Sequence, residues 1–283
     1  WPAVPIDTSG ENRDICYQNM PSIAQIKHIA SLRMPKFRQK YGQFVVEGRK
    51  AVEEVFHSGW QVEGIWATPA FVDRHAPNYP HELMSEEENK KCTAFDTAPG
   101  VMALVAMPKS KGLNHKTPFV LGLDGINDPG NMGTIIRLAD WFGLTQIVAS
   151  PDSVDAFNPK CLSATMGSFL RVEVVYAPLE SVAEGRTVYG AYLQGERVHG
   201  LVAASNSMLL IGSESHGIRE EAAKLVTHPI TIPGNEQQAQ WLQIRRTNPD
   251  QVILWTFGVM STVSLKTAQR IGFPREKILG GWW

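Results

Sequence analysis

Two short segments of this chain combine residue types able to hold a polar ligand. The first, Asp124-Gly-Ile-Asn-Asp-Pro-Gly-Asn-Met-Gly133, runs into TIIRLADWFG, and the second, Gly212-Ser-Glu-Ser-His-Gly217, stands between MLLI and IREEAAKLV. Glycines let backbone approach a ligand closely, and free amides at the opening of a helix attract an anion or a polar edge. Asn131 sits at the mouth of the first segment and can both donate and accept, while Arg137, almost two turns further on, keeps its charge at any ordinary pH. Glu214 directly follows an apolar run, where a side chain is presented to a cleft. Each has a plainer reading. Arg137 lies off the apolar stripe of Met132, Ile135, Ile136 and Ala139, as surface residues do, and Glu214 also suits the positive end of a helix. His216 stands alone, with no second His or Cys at metal-ligand spacing.

Both segments belong to a repeating pattern of apolar strand, loop and helix. Pro118 to Ile126 reads as a strand, DPGNMG as a turn, and Met132 to Phe142 as a helix stopped by Gly143. Strands follow at Gln146 to Ser150, Arg171 to Tyr176, Thr187 to Leu193, SMLLIGSE and HPITIP, with helices over NPKCLSATMGSF and IREEAAKLV. Apolar runs alternating with helices indicate a mainly parallel sheet covered on both faces, and ligands in such sheets sit beyond the strands' carboxyl ends.

The preceding half reads differently. Residues 1–19 lack any period and form an expected leader. From Ser22, Ile23, Ile26, Ile29 and Leu32 keep helical spacing up to Pro35, which ends that helix or begins the next element. A short strand over Phe44 to Val46, a helix over Arg49 to His57 and a strand over Val62 to Ala67 follow. Pro69 to Asn89 reads as a loop with a short helix, and Cys92 to Phe95 pairs with Met102 to Ala106 as a small strand pair. No acidic residue stands between Ile15 and Val46, whereas Lys27, Arg33, Lys36, Arg38 and Lys40 are basic: a solvated face, or a strip that contacts phosphates. PKSKGLNHKTP (Pro108 to Pro118), rich in lysine and turn formers, holds the expected linker at 108–117.

Composition closes off other classes. The 283 residues are 43% apolar and 19% charged with a net charge of −1, which excludes collagen-like, disulfide-scaffold and histone-like chains. Cys16, Cys92 and Cys161 stand far apart with no Cys-x-x-Cys pair, favouring a reducing, cytoplasmic compartment and no metal. No run approaches the ~18 apolar residues of a membrane span. No P-loop, Gly-x-Gly-x-x-Gly fingerprint or Gly-x-Ser-x-Gly elbow is present, which removes the usual support for nucleotide hydrolysis, nicotinamide chemistry and the standard hydrolases.

LDGINDPGNMGTIIRLADWFG, LLIGSESHGI and ITIP, in that order behind a basic α/β unit, resemble the motifs of the SpoU (TrmH-like) branch of the SPOUT RNA 2′-O-ribose methyltransferases. The resemblance implies a Rossmann-like, mainly parallel α/β sheet with a C-terminal trefoil knot, preceded by a small α/β ribosomal-protein-like substrate-binding domain. It implies S-adenosylmethionine as methyl donor, ribosomal or transfer RNA as partner, and a homodimer. Asn131 and Arg137 match the first motif's Asn and Arg, Glu214 the second motif's Glu, and Gly212 and Ile232 positions whose backbone cradles the cofactor. The expected domains are 20–107 for RNA, 118–257 for methyl transfer, and a tail over 258–283. The third motif departs from the family: Trp241-Leu242-Gln243 stands near the place of Ser-Leu-Asn, one residue late, so that Leu242 fits the cofactor floor and Trp241 replaces a small hydroxyl. Two other readings remain, a knotted RNA-binding protein impaired in catalysis and an unknotted Rossmann-like enzyme using another nucleotide.

Overall fold

A computed structural model describes residues 20–231 and, beyond them, 244, 246, 252–254, 268–269, 272–274 and 277–280. Ile232, Trp241, Leu242, the expected leader and the expected knot lie outside the described residues.

The first unit opens with α1 (Ile23–Ser31), started by a capping box in which Ser22 Oγ accepts from the Gln25 amide at 3.2 Å and Gln25 Oε1 from the Ser22 amide at 2.8 Å. Pro35 then begins α2 (Pro35–Tyr41), as a proline at a helix's first position does, and Gly42 ends it at φ 62°. There follow β1 (Gln43–Glu47), α3 (Arg49–His57), β2 (Val62–Ala67), α4 (Pro69–His75), β3 (Glu82–Leu83), α5 (Glu86–Cys92) and β4 (Val101–Ala106). The sheet order is β1-β4-β2-β3, antiparallel except for the β2–β3 pair. As one of two inner strands, β4 is covered on both faces: Val101, Ala103 and Val105 join one apolar cluster with Phe44, Val52 and Val55, while Met102 and Leu104 join another with Ile29, Leu32 and Cys92.

The second unit comprises β5 (Phe119–Asp124), α6 (Pro129–Trp141), β6 (Gln146–Ala149), α7 (Pro159–Thr165), β7 (Glu173–Tyr176), α8 (Glu180–Ala183), β8 (Thr187–Arg197), β9 (Ser207–Gly212), α9 (Glu220–Ala223) and β10 (His228–Thr231). Its six strands, in the order β10-β8-β9-β5-β6-β7, are parallel at every pairing. From β5 the chain winds outward to β6 and β7, then crosses back to β8 and β9. The strand order therefore reverses between β5 and β9, where such sheets open a crevice at their carboxyl ends.

The two units share a core. Phe44 of β1 packs on Phe157 at 4.6 Å and, edge-on, on Phe169 at 6.2 Å between ring centroids.

Four expectations are corrected. Cys92 closes α5 instead of opening a strand, because Ser85 and Glu88 form a second capping box that starts a helix there. Pro69 to Asn89 holds α4 and most of α5 with β3 between them. The helix expected from Met132 begins three residues earlier, since Asp128 caps it through the Asn131 amide at 2.7 Å and Pro129 takes the first position. Arg38 leaves the basic strip: it is 1% exposed, donates through Nη1 to the Leu32 and Arg33 carbonyls at 2.8 Å each, and pairs with Asp155 at 2.5 Å. A helix as short as α2 must turn one face to the core, and Arg38 is on it.

Candidate active site

The register places Asp124, the last residue of β5, beside Gly212, the last of β9. Both loops of interest therefore leave the sheet at its switch point. The second loop folds back on itself, with Ser213 and Gly217 exchanging backbone hydrogen bonds at 3.1 and 2.8 Å. A Cβ on Gly212 would lie 2.0 Å from the Gly217 carbonyl carbon, so only glycine permits this closure. In the first loop, Gly133 serves packing: a Cβ there would lie 2.5 Å from the Cys161 carbonyl oxygen, where α7 crosses α6.

Asn131 Nδ2 donates to Glu214 Oε2 at 3.2 Å, so the two loops meet through the two polar residues that the sequence singles out. Both side chains are exposed at the crevice. Arg137 is half-buried on α6. Six residues at about 100° each set it roughly 120° round the helix from Asn131 and about 9 Å along its axis. His216 is exposed and its Nδ1 meets the Ser215 hydroxyl at 2.8 Å. Among the described residues, no group of three or more His, Cys, Asp or Glu side chains is placed to hold a metal ion.

Beneath this pair lies a cluster that the residue pattern alone did not reveal. Asp124 is 1% exposed, and its carboxylate accepts from the Arg219 amide at 2.7 Å and from Arg219 Nε at 2.9 Å. Arg219 also reaches Asp152 through Nη1 at 2.6 Å and Nη2 at 3.0 Å. Hydrogen bonding to Arg219 holds the Asp152 carboxyl below the usual range, and bonding to Asp124 and then Asp152 raises the guanidinium well above its own. The loop after β6 braces the same corner: Ser150 Oγ accepts from the Gly125 amide at 2.9 Å and Ser153 Oγ from the Ile126 amide at 3.2 Å. Asp155 of that loop is the partner of Arg38, so the first unit is tied to the loop that braces the crevice. The signal in the sequence was an acidic residue ending an apolar strand, since a buried carboxylate requires a partner.

Of the basic strip, Lys27, Arg33, Lys36 and Lys40 are exposed. Arg33 is tethered, its Nε donating to the Cys92 carbonyl at 3.2 Å and its Nη2 to that of Lys91.

A parallel sheet with two polar glycine loops meeting at its switch point defines an α/β ligand-binding domain, here joined to a smaller α/β unit. The SpoU rRNA Methylase family model matches residues 118–240, and the MRM3-like substrate binding domain model matches residues 24–103. Over 205 residues the chain is 32% identical to the 23S rRNA (guanosine(2553)-2′-O)-methyltransferase RlmP of Bacillus subtilis, covering 69% of this chain and 81% of that protein. The fold superposes on a TrmH-family structure from Porphyromonas gingivalis with a TM-score of 0.66 and 27% identity, over 91% of this chain and 100% of the other. It also superposes on the SpoU methyltransferase AviRb from Streptomyces viridochromogenes in complex with AdoMet, with a TM-score of 0.63 and 20% identity, over 89% of this chain and 99% of that one. The chain belongs to the SpoU rRNA methylase family.

Proposed function

We propose that this protein transfers a methyl group from S-adenosylmethionine to a ribose 2′-OH of ribosomal RNA. Family membership supports the reaction class, as does the 2′-O position named for RlmP. The observation that carries the reading is the Asn131–Glu214 contact at the β5/β9 switch point.

Two features at the carboxyl edge of the sheet fit a bound cofactor. The closed loop from Gly212 to Gly217 presents backbone polar groups beside Glu214, and the Thr231 hydroxyl, ending β10, is buried without a hydrogen-bond partner. An orphaned hydroxyl next to Ile232 is what a polar ligand edge would satisfy. When bound, S-adenosylmethionine supplies an electrophilic methyl on a sulfonium, so the chain's residues need only position the 2′-oxygen and assist loss of its proton. Asn131 orients the ribose, Glu214 holds Asn131 in place, and Arg137 clamps the neighbouring phosphate and polarises the 2′-oxygen; the guanidinium's permanent charge suits a clamp better than a general base. Gly212, Ile232 and Leu242 form the cofactor cradle in this reading.

Residues 20–107 then serve as the RNA-binding domain, 108–117 as linker and 118–257 as the methyltransferase domain with its knot. Lys27, Arg33, Lys36 and Lys40 contact RNA phosphates. The working unit is a homodimer, supported by the apolar surface that Leu138, Trp141 and Phe142 expose at the end of α6.

The test is transfer of labelled methyl from S-adenosylmethionine to ribosomal RNA, with the product mapped by resistance to alkaline cleavage at the modified ribose. Label on a base would overturn the 2′-O assignment. RNA binding without cofactor binding would favour an impaired knotted RNA-binding protein, in line with Trp241 standing where the family has a small hydroxyl.

A further inference from the structure

The α2 helix carries three distinct stripes. At about 100° per residue, Lys36 and Lys40 fall in one row, Phe37 and Tyr41 in the next, and Arg38 beyond them, with Met34 as the extended N-cap. Burial follows this order: Lys36 and Lys40 are exposed, Phe37 is half-buried, Tyr41 is 42% exposed and Met34 49%, and Arg38 is sealed in the core. A row of apolar rings therefore lies at the surface, flanked on its outer side by cations.

The rings are held in register. The Phe37 and Tyr41 rings are nearly parallel, their planes 12° apart with centroids at 6.2 Å. Lys36 Nζ stands 4.9 Å from the Phe37 centroid and Lys40 Nζ 5.1 Å from that of Tyr41. The His28 ring meets Tyr41 at 4.6 Å in an edge contact, and its Nε2 is fixed by Gln43 Oε1 at 2.6 Å. Tyr41 is thus braced on its inner side. No acidic residue occurs in the sequence between Ile15 and Val46, and the nearby Glu63 of β2 is engaged by Gln43 Nε2.

Phe37 packs in part on the Ile29 and Leu32 cluster, but Tyr41 at the surface is 42% exposed, more than packing alone asks of a ring, and a purely phosphate-reading face needs only the lysines. Aromatic rings in a row beside lysines match single-stranded RNA, whose unpaired bases stack on the rings while the phosphates run along the charges. A duplex, with its bases already stacked, would use the charges alone. We propose that α2 is a stacking platform for unpaired nucleotides of the RNA substrate, with Tyr41 taking a base and Lys36 and Lys40 the adjacent phosphates. This rests on the RNA reading given above and adds the strandedness of the segment that the first unit grips.

The two kinds of contact differ in salt dependence, which makes them separable. Binding of the full chain to a fluorescein-labelled 12-nucleotide oligouridylate and to a blunt 12-base-pair RNA duplex is measured by anisotropy across a salt series. Tyr41→Ala should weaken oligouridylate binding by about 5- to 150-fold, the range measured for one stacked base, with the salt slope unchanged. Lys36→Ala with Lys40→Ala should instead flatten that slope by roughly 1.4, at ~0.7 per phosphate contact on a single strand. Tyr41→Phe should bind as the parent does, and Tyr41→Leu, which preserves packing against His28, should behave as Tyr41→Ala. Parental affinity in the Leu and Ala variants, or an equal loss on single strand and duplex, overturns the platform. If methyl transfer to RNA persists in that case, the proposed function stands and only the platform falls; if the parent binds neither RNA, both fall.

Discussion

Arg219 closes onto Asp124 through both its backbone amide and its guanidinium, with the amide at 2.7 Å and Nε at 2.9 Å, so the residue after the second glycine loop is clamped to the residue that opens the first. This sets the distance between the loops that carry Asn131 and Glu214. Removing the guanidinium leaves the Asp124 carboxylate buried without its charged donor. Arg219→Ala should destabilise the fold by about 1.5 to 3 kcal/mol, the cost of hydrogen bonds to a charged group, because the guanidinium itself is 42% exposed and partly screened. Arg219→Lys keeps the charge but cannot bridge Asp124 and Asp152 together, so it should fall between the two. Urea unfolding measures the loss; an Arg219→Ala midpoint equal to the parent's would show the clamp to be idle.

Acid should loosen this corner and the end of α6. Hydrogen bonds from Arg219 hold the Asp152 carboxyl down, and those from Arg171 do the same for Asp140. A carboxyl depressed on folding adds stability above its unfolded value and loses it as the pH falls through its folded one. Stability should thus drop from the ordinary carboxylate range near pH 4 downward. Glu47 works in the opposite sense, since burial raises its carboxyl and its contribution fades as the pH rises. Arg171→Gln should remove part of the acid loss in pH-dependent thermal unfolding, whereas an unchanged pH profile would refute a role for Asp140.

The Arg38–Asp155 pair joins the two units, with side chains 1% and 28% exposed. Arg38→Ala would strand two backbone carbonyls as well as the aspartate, and breaking a buried pair from one side costs about 3 to 5 kcal/mol. Because this residue does not face solvent, the salt slope of RNA binding should be unaffected wherever the variant stays folded. A flatter slope in folded Arg38→Ala would return Arg38 to the phosphate strip.

Most strands and the order of the elements were legible because apolar runs of four to six residues and helical periods are local signals; α3 and β2 begin and end as their spacing predicts. Asn131 and Glu214 were legible as well, though their contact was not, since 83 residues separate them and only the strand crossing brings them together. Three failures share one cause. Arg38 looks like its lysine neighbours until the core it enters is known, Cys92 looks like a strand residue until Ser85 caps a helix ahead of it, and Asp124 shows no partner until Arg219 arrives from 95 residues away. Charge and capping depend on what packs nearby, and spacing along the chain does not report that.

Trp141 is 84% exposed and Phe142 72%, side by side at the end of α6, with Leu138 one turn before. If a second copy covers this surface, Trp141→Glu should place a charge in the contact and yield monomers in sedimentation velocity, with little change in far-ultraviolet circular dichroism. If that second copy also completes the active site, methyl transfer should fall as dimerisation is lost. A variant that sediments as the parent does would remove α6 from the interface.

Arg137 gives the sharpest test of the proposed chemistry. It stands on α6 about two and a half turns beyond the Asp128 cap, on a different face from the Met132–Ile136–Ala139 stripe that packs on the sheet. Substitution should therefore leave the core intact. If Arg137 clamps the phosphate beside the reacting ribose, Arg137→Ala should lower turnover on the order of 10² or more while S-adenosylmethionine affinity by calorimetry stays within a few-fold. Arg137→Lys retains the charge but loses the fork that grips a phosphate at two oxygens, and should recover only part of the rate. Because a clamp moves no proton at position 137, the pH–rate profile of Arg137→Lys should keep the parent's shape. A new ionisation in that profile would favour proton removal by the residue at position 137 over clamping, and turnover within a few-fold of the parent in Arg137→Ala would assign Arg137 to the surface.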